Sequence, residues 1–302
     1  INGTHELVAY HNDTIIRIWR NVEKIGFKAH WHSSIEIVMP VENYYDVILD
    51  NDGYLESYKR IAENDEAKGT KWYAFLEIHG KSSWYNDQSY LDTLSVEAVK
   101  KFVEVTHEKY KETVGNEFDK TVPAIFTDEP QFTRKEVFDN SFDTEDVCMP
   151  WTDSVEELYK ETYGADILDT LPEIFWDLKN SKVSVHRYRY HDFIAELFAN
   201  AFADTVGKWC GENNIALTGH MMEEPTLESQ TAALGDAMRS YRGFDLPGID
   251  MLCASFEFTT AKQAQSAVHQ YGREGMLSEL YGVTGWDYDF RGYKLHGDWQ
   301  AC

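Results

Sequence analysis

VPAIFTDEP, residues 122–130, is an apolar run that ends in two adjacent carboxylates, Asp128 and Glu129, followed by a proline. The run MLSELYG, residues 276–282, repeats this arrangement and places Glu279 shortly before a Tyr-Gly turn. Short apolar runs bounded by turn residues predict buried strands. Strands that end in acidic residues, separated by long helical stretches, are typical of a β/α barrel with its active site at the strand C-termini. The two runs therefore predict that Glu129 and Glu279 face one another.

Predicted strands and helices alternate along the chain beyond residue 53. Apolar runs predict strands at 71–78, 122–127, 215–219, 249–253 and 276–280. Helical periodicity predicts helices at 95–114, 186–211, 228–241 and 260–273, with one or two more around SVEELYKETYG and LPEIFWDL. This alternation predicts a parallel sheet with crossover helices. Since no Gly-rich phosphate loop follows these strands, the pattern favours a barrel over a doubly wound, nucleotide-binding fold.

Residues 5–50 differ in composition from the rest of the chain. They are rich in β-branched and aromatic residues, with partial alternation of apolar and polar side chains, which predicts several short strands before the turn at 51–53. His30, His32 and Glu36 have the spacing HxH-x3-E, which in a cupin barrel directs three groups toward one interior. The usual glycine is shifted and no second such motif follows, so metal binding is not expected there. The predicted fold class is α/β: a cupin-like β fragment, 1–53, followed by a partial (β/α)8 TIM-like barrel, 54–302.

Composition narrows the classes of partner. Lys and Arg number 28 against 52 Asp and Glu, a formal net charge of −24, which disfavours nucleic acids and anionic membranes. No apolar run approaches the length of a membrane span, and no secretory signal is visible at the N-terminus. The four cysteines share no CxxC spacing, which favours reduced thiols and a cytoplasmic protein. The chain begins without Met, and we expect it to be a fragment.

Polar side chains follow each predicted strand. Glycoside cleavage needs one carboxylic acid to protonate the leaving oxygen and a second carboxylate that attacks the anomeric carbon or activates water. Glu129 and Glu279 are the predicted catalytic pair. The expected substrate-binding residues are Asp128, His220, Glu223, Glu224, Asp250, Tyr281, Trp286, His79 and Trp84.

Two alternatives accompany this interpretation. Glu129 is also explained by a loop or a helix N-terminus, where acidic residues are favoured in any protein. His220 with Glu223 or Glu224 can be read as a metal-ligand set, but the histidine follows a strand and no second histidine lies nearby. No metal and no cofactor are expected.

Two resemblances extend this interpretation. AHWHSSIEIVMPVENYYDVIL, within residues 5–50, resembles the start of the sugar-sensing cupin domain of AraC-type regulators, and no helix-turn-helix region follows it. The other resemblance is to the catalytic barrel of bacterial glycoside hydrolases, close to family 106 (α-L-rhamnosidases) and to proteins with a family 2-type sugar-binding domain. Its carrying segments are WYNDQSYLDTLSVEAVKKF, VPAIFTDEPQF, LTGHMMEEPTL and MLSELYGVTGWDYDF.

The second resemblance implies a (β/α)8 barrel that acts on plant or host glycans, with Glu129 as acid and Glu279 as its partner carboxylate. Relative to such barrels, the regulator-like piece stands in place of the first two strands, and strand eight is absent. The alternative functions are a sugar-sensing regulator, for which a DNA-binding module and a basic surface are missing from the sequence, and a non-catalytic carbohydrate-binding remnant.

Overall fold

The computed structural model describes residues 43–76, 83, 85, 87, 89–252 and 255–302 in full, and the backbone alone of 23–29, 77–78 and 84. The chain forms two compact units. The first contains the described residues up to Ala98 together with Phe132–Leu197, and the second contains Val99–Gln131 and Phe198–Cys302. The HWH segment at 30–32 and His79 lie outside the described residues, as does the side chain of Trp84.

The strands and helices of the described residues have the following bounds. The strands are β1 Glu23–Ala29, β2 Asn43–Leu49, β3 Leu55–Ile61, β4 Thr70–Ile78, β5 Ala124–Asp128, β6 Val147–Pro150, β7 Ala216–His220, β8 Leu246–Met251 and β9 Leu277–Leu280. The helices are α1 Val96–Val105, α2 His107–Val114, α3 Val155–Tyr163, α4 Pro172–Phe175, α5 Val185–Phe198, α6 Thr205–Glu212, α7 Leu227–Ala233, α8 Ala237–Ser240, α9 Phe258–Tyr271 and α10 Phe290–Ala301.

The first unit is built on a five-stranded sheet in the order β3-β2-β4-β1-β6, whose strands all pair antiparallel. β2 and β3 form a hairpin through the predicted turn, where Gly53 adopts a φ of +86° and the Asp50 carboxylate accepts the backbone N–H groups of Asp52 and Tyr54. This hairpin spans the predicted domain boundary at residue 53. The division into 1–53 and 54–302 stays a prediction, because much of the first segment lies outside the described residues.

The segment predicted as a barrel strand at 71–78 is β4, which lies between β2 and β1 in this antiparallel sheet, so its assignment to the barrel was wrong. Trp72, Tyr73, Ala74 and Phe75 are all buried. An unbroken apolar run shows that a strand is covered on both faces, but it does not distinguish parallel from antiparallel neighbours.

The second unit is built on a four-stranded parallel sheet in the order β5-β7-β8-β9. Its spatial order follows the chain order without reversal, as in the curled sheet of a β/α barrel and unlike a doubly wound sheet. The fold is therefore α/β, with a parallel sheet of half-barrel type in one unit and an antiparallel sheet in the other. A complete (β/α)8 barrel is not present in the described part of the chain.

Helices cover this sheet on one side. Ile249 and Met251 of β8 are fully buried against Ala264 and Ala261 of α9, whose small side chains allow the helix to approach closely. α9 ends at Gly272, which takes the left-handed conformation that closes many helices. In the described part of the chain, no helix combines the length and the apolar character that crossing a bilayer requires.

Several predicted helices are interrupted. The helix expected at 95–114 is divided at Thr106, whose hydroxyl donates to the Phe102 carbonyl 2.6 Å away. The long helix expected at 186–211 contains a π-helical turn at Ala199–Asp204, and the one expected at 228–241 is two short helices. β3, β6 and α10 were not predicted.

Candidate active site

Strand register places four ionisable side chains on one face of the parallel sheet. Asp128 is paired with His220 across β5 and β7, and Asp250 is paired with Glu279 across β8 and β9. Across β7 and β8, Thr218 pairs with Leu246. His220 lies two residues after Thr218, and Asp250 lies four residues after Leu246. Because alternate side chains of a strand share a face, His220 and Asp250 lie on the same face of the sheet. All four residues stand at or near the C-terminal ends of their strands, the edge where β/α barrels carry their sites.

His220 lies at the centre of this group. Its side chain is 1% exposed, and its Nε2 lies 3.1 Å from Oε2 of Glu279 and 3.4 Å from Oδ1 of Asp128. Because both neighbours are carboxylates, which accept hydrogen bonds when ionised, the proton of a neutral ring belongs on Nε2. The ring contacts the Phe126 ring edge-to-face with centroids 5.5 Å apart. Nδ1 is buried and has no hydrogen-bond partner among the described residues.

Glu129 reaches the same group through its backbone conformation. It follows Asp128 directly, so a continued strand would direct its side chain to the opposite face. Instead Glu129 takes a φ of +46°, and one carboxylate oxygen of Asp128, one of Glu129 and a ring nitrogen of His220 lie within 4.8 Å of one another. Burial raises the pKa of Glu129, and the carboxylates of Asp128, Asp250 and Glu223 raise it further, while His220 lowers it.

Left-handed backbone recurs at this edge of the sheet. Glu129 (+46°), Glu223 (+58°) and Tyr281 (+72°) each come shortly after a strand, β5, β7 and β9 respectively. Residues with a Cβ rarely adopt this region, at a cost of about 1–3 kcal/mol each, and such strain concentrates at functional sites. The loops here hold side chains in directions that relaxed backbone would not provide.

Asp250 and Glu224 occupy the next position along the sheet. Burial raises the pKa of Asp250, the nearby carboxylates of Glu279 and Asp128 raise it further, and His220 lowers it. Its Oδ1 is buried without a hydrogen-bond partner in the described part of the chain. Glu224 is 4% exposed, and its Oε2 accepts the backbone N–H of Asp250 at 2.9 Å. Burial raises the pKa of Glu224 to about 8.

The structure thus brings together many of the residues named from sequence. Asp128, Glu129, His220, Asp250 and Glu279 share one region, and Glu223 lies near enough to raise the pKa of Glu129. Tyr281 donates its hydroxyl to the Tyr293 carbonyl at 3.2 Å and packs against that ring, and Trp286 is fully exposed. Sequence reasoning missed Gln230 and Tyr241, which contact Glu224 and follow no strand-end pattern.

A divalent cation could be held by Asp128, Glu129 and His220, because oxygen and imidazole donors within 4.8 Å of one another match the ligand sets of such ions. This group differs from the His220, Glu223 and Glu224 set considered from the sequence. It shares His220 and one candidate catalytic carboxylate with the site.

Comparisons with known proteins support the architecture. No family model matches this chain, and no curated protein matches it. A solved structure, a rhamnosidase from Novosphingobium sp. PP1Y, superposes with a TM-score of 0.55 over 82% of this chain at 19% sequence identity. The likeness shows a shared fold. The chain spans about a quarter of that protein's length, 25%.

Proposed function

We propose that this chain carries the carboxylate pair of a glycoside hydrolase, in which Glu129 protonates the glycosidic oxygen and Glu279 acts on the anomeric carbon, directly or through water. The observation that supports it most is that both groups approach one buried imidazole. Glu279 lies 3.1 Å from Nε2 of His220, and Glu129 lies within 4.8 Å of a ring nitrogen of the same residue. Two carboxyl groups flanking one scissile bond are what this chemistry requires.

The environments of the two carboxyl groups differ in the direction that the two roles need. Glu129 is half-buried, and burial and neighbouring carboxylates raise its pKa, which favours the protonated form that a general acid must hold. Glu279 is 47% exposed and accepts a hydrogen bond from Nε2 of His220. His220 thereby holds the partner carboxylate in place.

The substrate we propose is a glycoside, and the shared fold with a rhamnosidase makes rhamnosides the first to test. In this proposal, Asp128 and Glu223 accept hydrogen bonds from sugar hydroxyls, which their proximity to Glu129 supports. The exposed Trp286 ring offers a flat apolar surface on which a pyranose ring can stack. The stereochemistry of the product distinguishes direct attack by Glu279, which retains the anomeric configuration, from water activation, which inverts it.

The decisive experiment measures hydrolysis by the Glu129→Gln variant on two classes of substrate. Loss of general acid catalysis is expected to reduce the rate on unactivated glycosides by about 10²–10⁴-fold. Aryl glycosides with strongly acidic phenol leaving groups should lose much less, because such leaving groups depart without protonation. Glu274→Gln serves as the control, since Glu274 is exposed and lies just before β9.

Two results would contradict the proposal. Equal losses on both classes of substrate would remove Glu129 from the acid role. Binding of sugars by the wild-type chain without any turnover across a panel of aryl and natural glycosides would favour a carbohydrate-binding protein instead.

A further inference from the structure

A buried hydrogen-bond network surrounds Glu224, which the sequence predicted to bind substrate and which the proposed reaction does not use. Glu224 follows β7 by four residues and is 4% exposed. Its neighbour Glu223 is half-buried and acts electrostatically on Glu129, so the two adjacent glutamates occupy different environments. A carboxyl group buried this deeply is costly unless its hydrogen bonds are satisfied.

The Glu224 carboxyl group connects two strand ends. Oε2 accepts the backbone N–H of Asp250, on β8, at 2.9 Å. The backbone N–H of Met221, which follows His220 at the end of β7, also donates to this carboxyl group. One side chain therefore joins the loop after β7, next to His220, to the strand that carries Asp250.

Tyr241 completes the other side of the group. It is fully buried, and its hydroxyl donates to the Gly248 carbonyl at 2.7 Å while Oε1 of Glu224 lies 3.3 Å away. The contact of the hydroxyl with the Gly248 carbonyl is the shorter and stronger of the two, and its contact with Oε1 of Glu224 is the weaker.

The main chain of Glu224 is held as well. Nε2 of Gln230, a buried residue on α7, donates to the Glu224 carbonyl at 2.8 Å and to Oε1 of Gln263, on α9, at 2.9 Å. Both ends of the residue are therefore fixed, so the Asp250 backbone it contacts is fixed too.

We infer that Glu224 is a positioning residue for the candidate site: it ties the loop after β7 to β8 and thereby sets the place of Asp250 beside His220 and Glu279. This inference rests on the proposed function for its kinetic consequence, but the tie itself is a property of the fold. Oδ1 of Asp250 has no hydrogen-bond partner among the described residues, so its direction depends on the backbone that Glu224 holds.

The test compares Glu224→Gln with Glu224→Ala in the full chain. Glutamine keeps an oxygen for the Asp250 N–H, and its amide N–H can donate to the tyrosine oxygen, so it retains contacts with both Asp250 and Tyr241. We expect Glu224→Gln to hydrolyse an aryl glycoside with kcat/KM within about threefold of wild type, and Glu224→Ala to lose about 10²-fold, because small misplacements at a site cost that much.

Two further readouts separate positioning from general loss of structure. In an Asp250→Asn background, Glu224→Ala should reduce kcat/KM much less than it does in the wild-type chain, because the Asp250 carboxylate that Glu224 positions is no longer present. Amide hydrogen exchange at Asp250 should be faster in Glu224→Ala and unchanged in Glu224→Gln, with the exchange at α3 of the other unit as an internal reference. This measurement does not need activity.

The outcomes distinguish the two ideas. Any of three results would overturn the inference. Glu224→Ala could reduce kcat/KM equally in both backgrounds, or Glu224→Gln could be as impaired as Glu224→Ala. The third is an unchanged amide exchange rate at Asp250 in Glu224→Ala. A wild-type chain that hydrolyses no glycoside, with the exchange pattern as expected, would refute the proposed function and leave the positioning of Asp250 by Glu224 standing.

Discussion

Replacing Gly219 by alanine is expected to damage the centre of the parallel sheet. Gly219 has a φ of +130°, and a Cβ at this position would lie 1.9 Å from the carbonyl oxygen of Thr127 on β5. The conformation alone costs a residue with a Cβ about 1–3 kcal/mol. The steric overlap with backbone adds about 1–3 kcal/mol through forced displacement. We expect Gly219→Ala to lower the free energy of unfolding by about 2–6 kcal/mol, a large part of the usual total.

Gly272→Ala provides the matched control. Gly272 also has a positive φ, +63°, but no atom lies within 4 Å of the place that an alanine Cβ would take there. Its cost is therefore conformational alone, about 1–2 kcal/mol. Urea unfolding followed by circular dichroism measures both variants against the wild type, and the contact with Thr127 predicts a larger loss in Gly219→Ala. Equal losses in the two variants would refute the steric argument.

The same substitution has a functional consequence. Thr127 pairs with Gly219, and the next pair along the two strands is Asp128 with His220. Pushing β5 away from β7 lengthens the 3.4 Å contact between the Asp128 carboxylate and Nε2. Glycoside hydrolysis at a temperature where Gly219→Ala remains folded should therefore fall, while Gly272→Ala should keep the wild-type rate.

Two predictions concern stability. Burial lowers the pKa of Lys135 to about 7 from 10.5, and its Nζ lies 3.0 Å from Nδ1 of His191. Between these pH values the unfolded chain binds more protons than the folded one, so stability should rise with pH from about 7 to 10.5. Lys135→Met should remove this slope in urea midpoints, and a persisting slope would assign it to other groups. The N-cap of α7 is Thr226, and its hydroxyl oxygen accepts the backbone N–H of Ser229 at 3.0 Å. Thr226→Ala removes this hydrogen bond and should lower the free energy of unfolding by about 1 kcal/mol in the same assay. An unchanged free energy of unfolding would contradict a stabilising role for the cap.

The parallel sheet could be predicted because each of its strands is a short apolar run, and because predicted helices follow β7 and β8 in the chain. Register then follows from the pleat, so strand-end residues such as Asp128 and Glu279 could be placed on one edge from sequence. The strand at 71–78 shows the limit of this reasoning. Its buried run from Trp72 to Phe75 carries no information on the direction of its neighbours, which are β1 and β2.

The roles of Glu223 and Glu224 could not be separated from sequence. The two residues are adjacent and chemically identical, and what distinguishes them is the left-handed backbone of Glu223 together with the burial of Glu224. The partners of Glu224 come from segments far along the chain: Tyr241 follows α8, and Gln263 lies on α9. Contacts of this kind depend on tertiary packing, which no local pattern encodes.

The pairing of β5 with β7 has a consequence for synthesis of the chain. Ala124 pairs with Ala216, and the whole of Phe132–Leu197, which belongs to the other unit, is translated between them. At about 5–20 residues per second a ribosome needs several seconds to deliver the partner strand. During that interval the nascent β5 cannot pair with β7, so its backbone hydrogen-bonding groups remain open to aggregation with other chains. Contacts between residues so distant in sequence also slow folding. Slower growth at low temperature, or a chaperone that shields this strand, should therefore raise the yield of correctly folded protein.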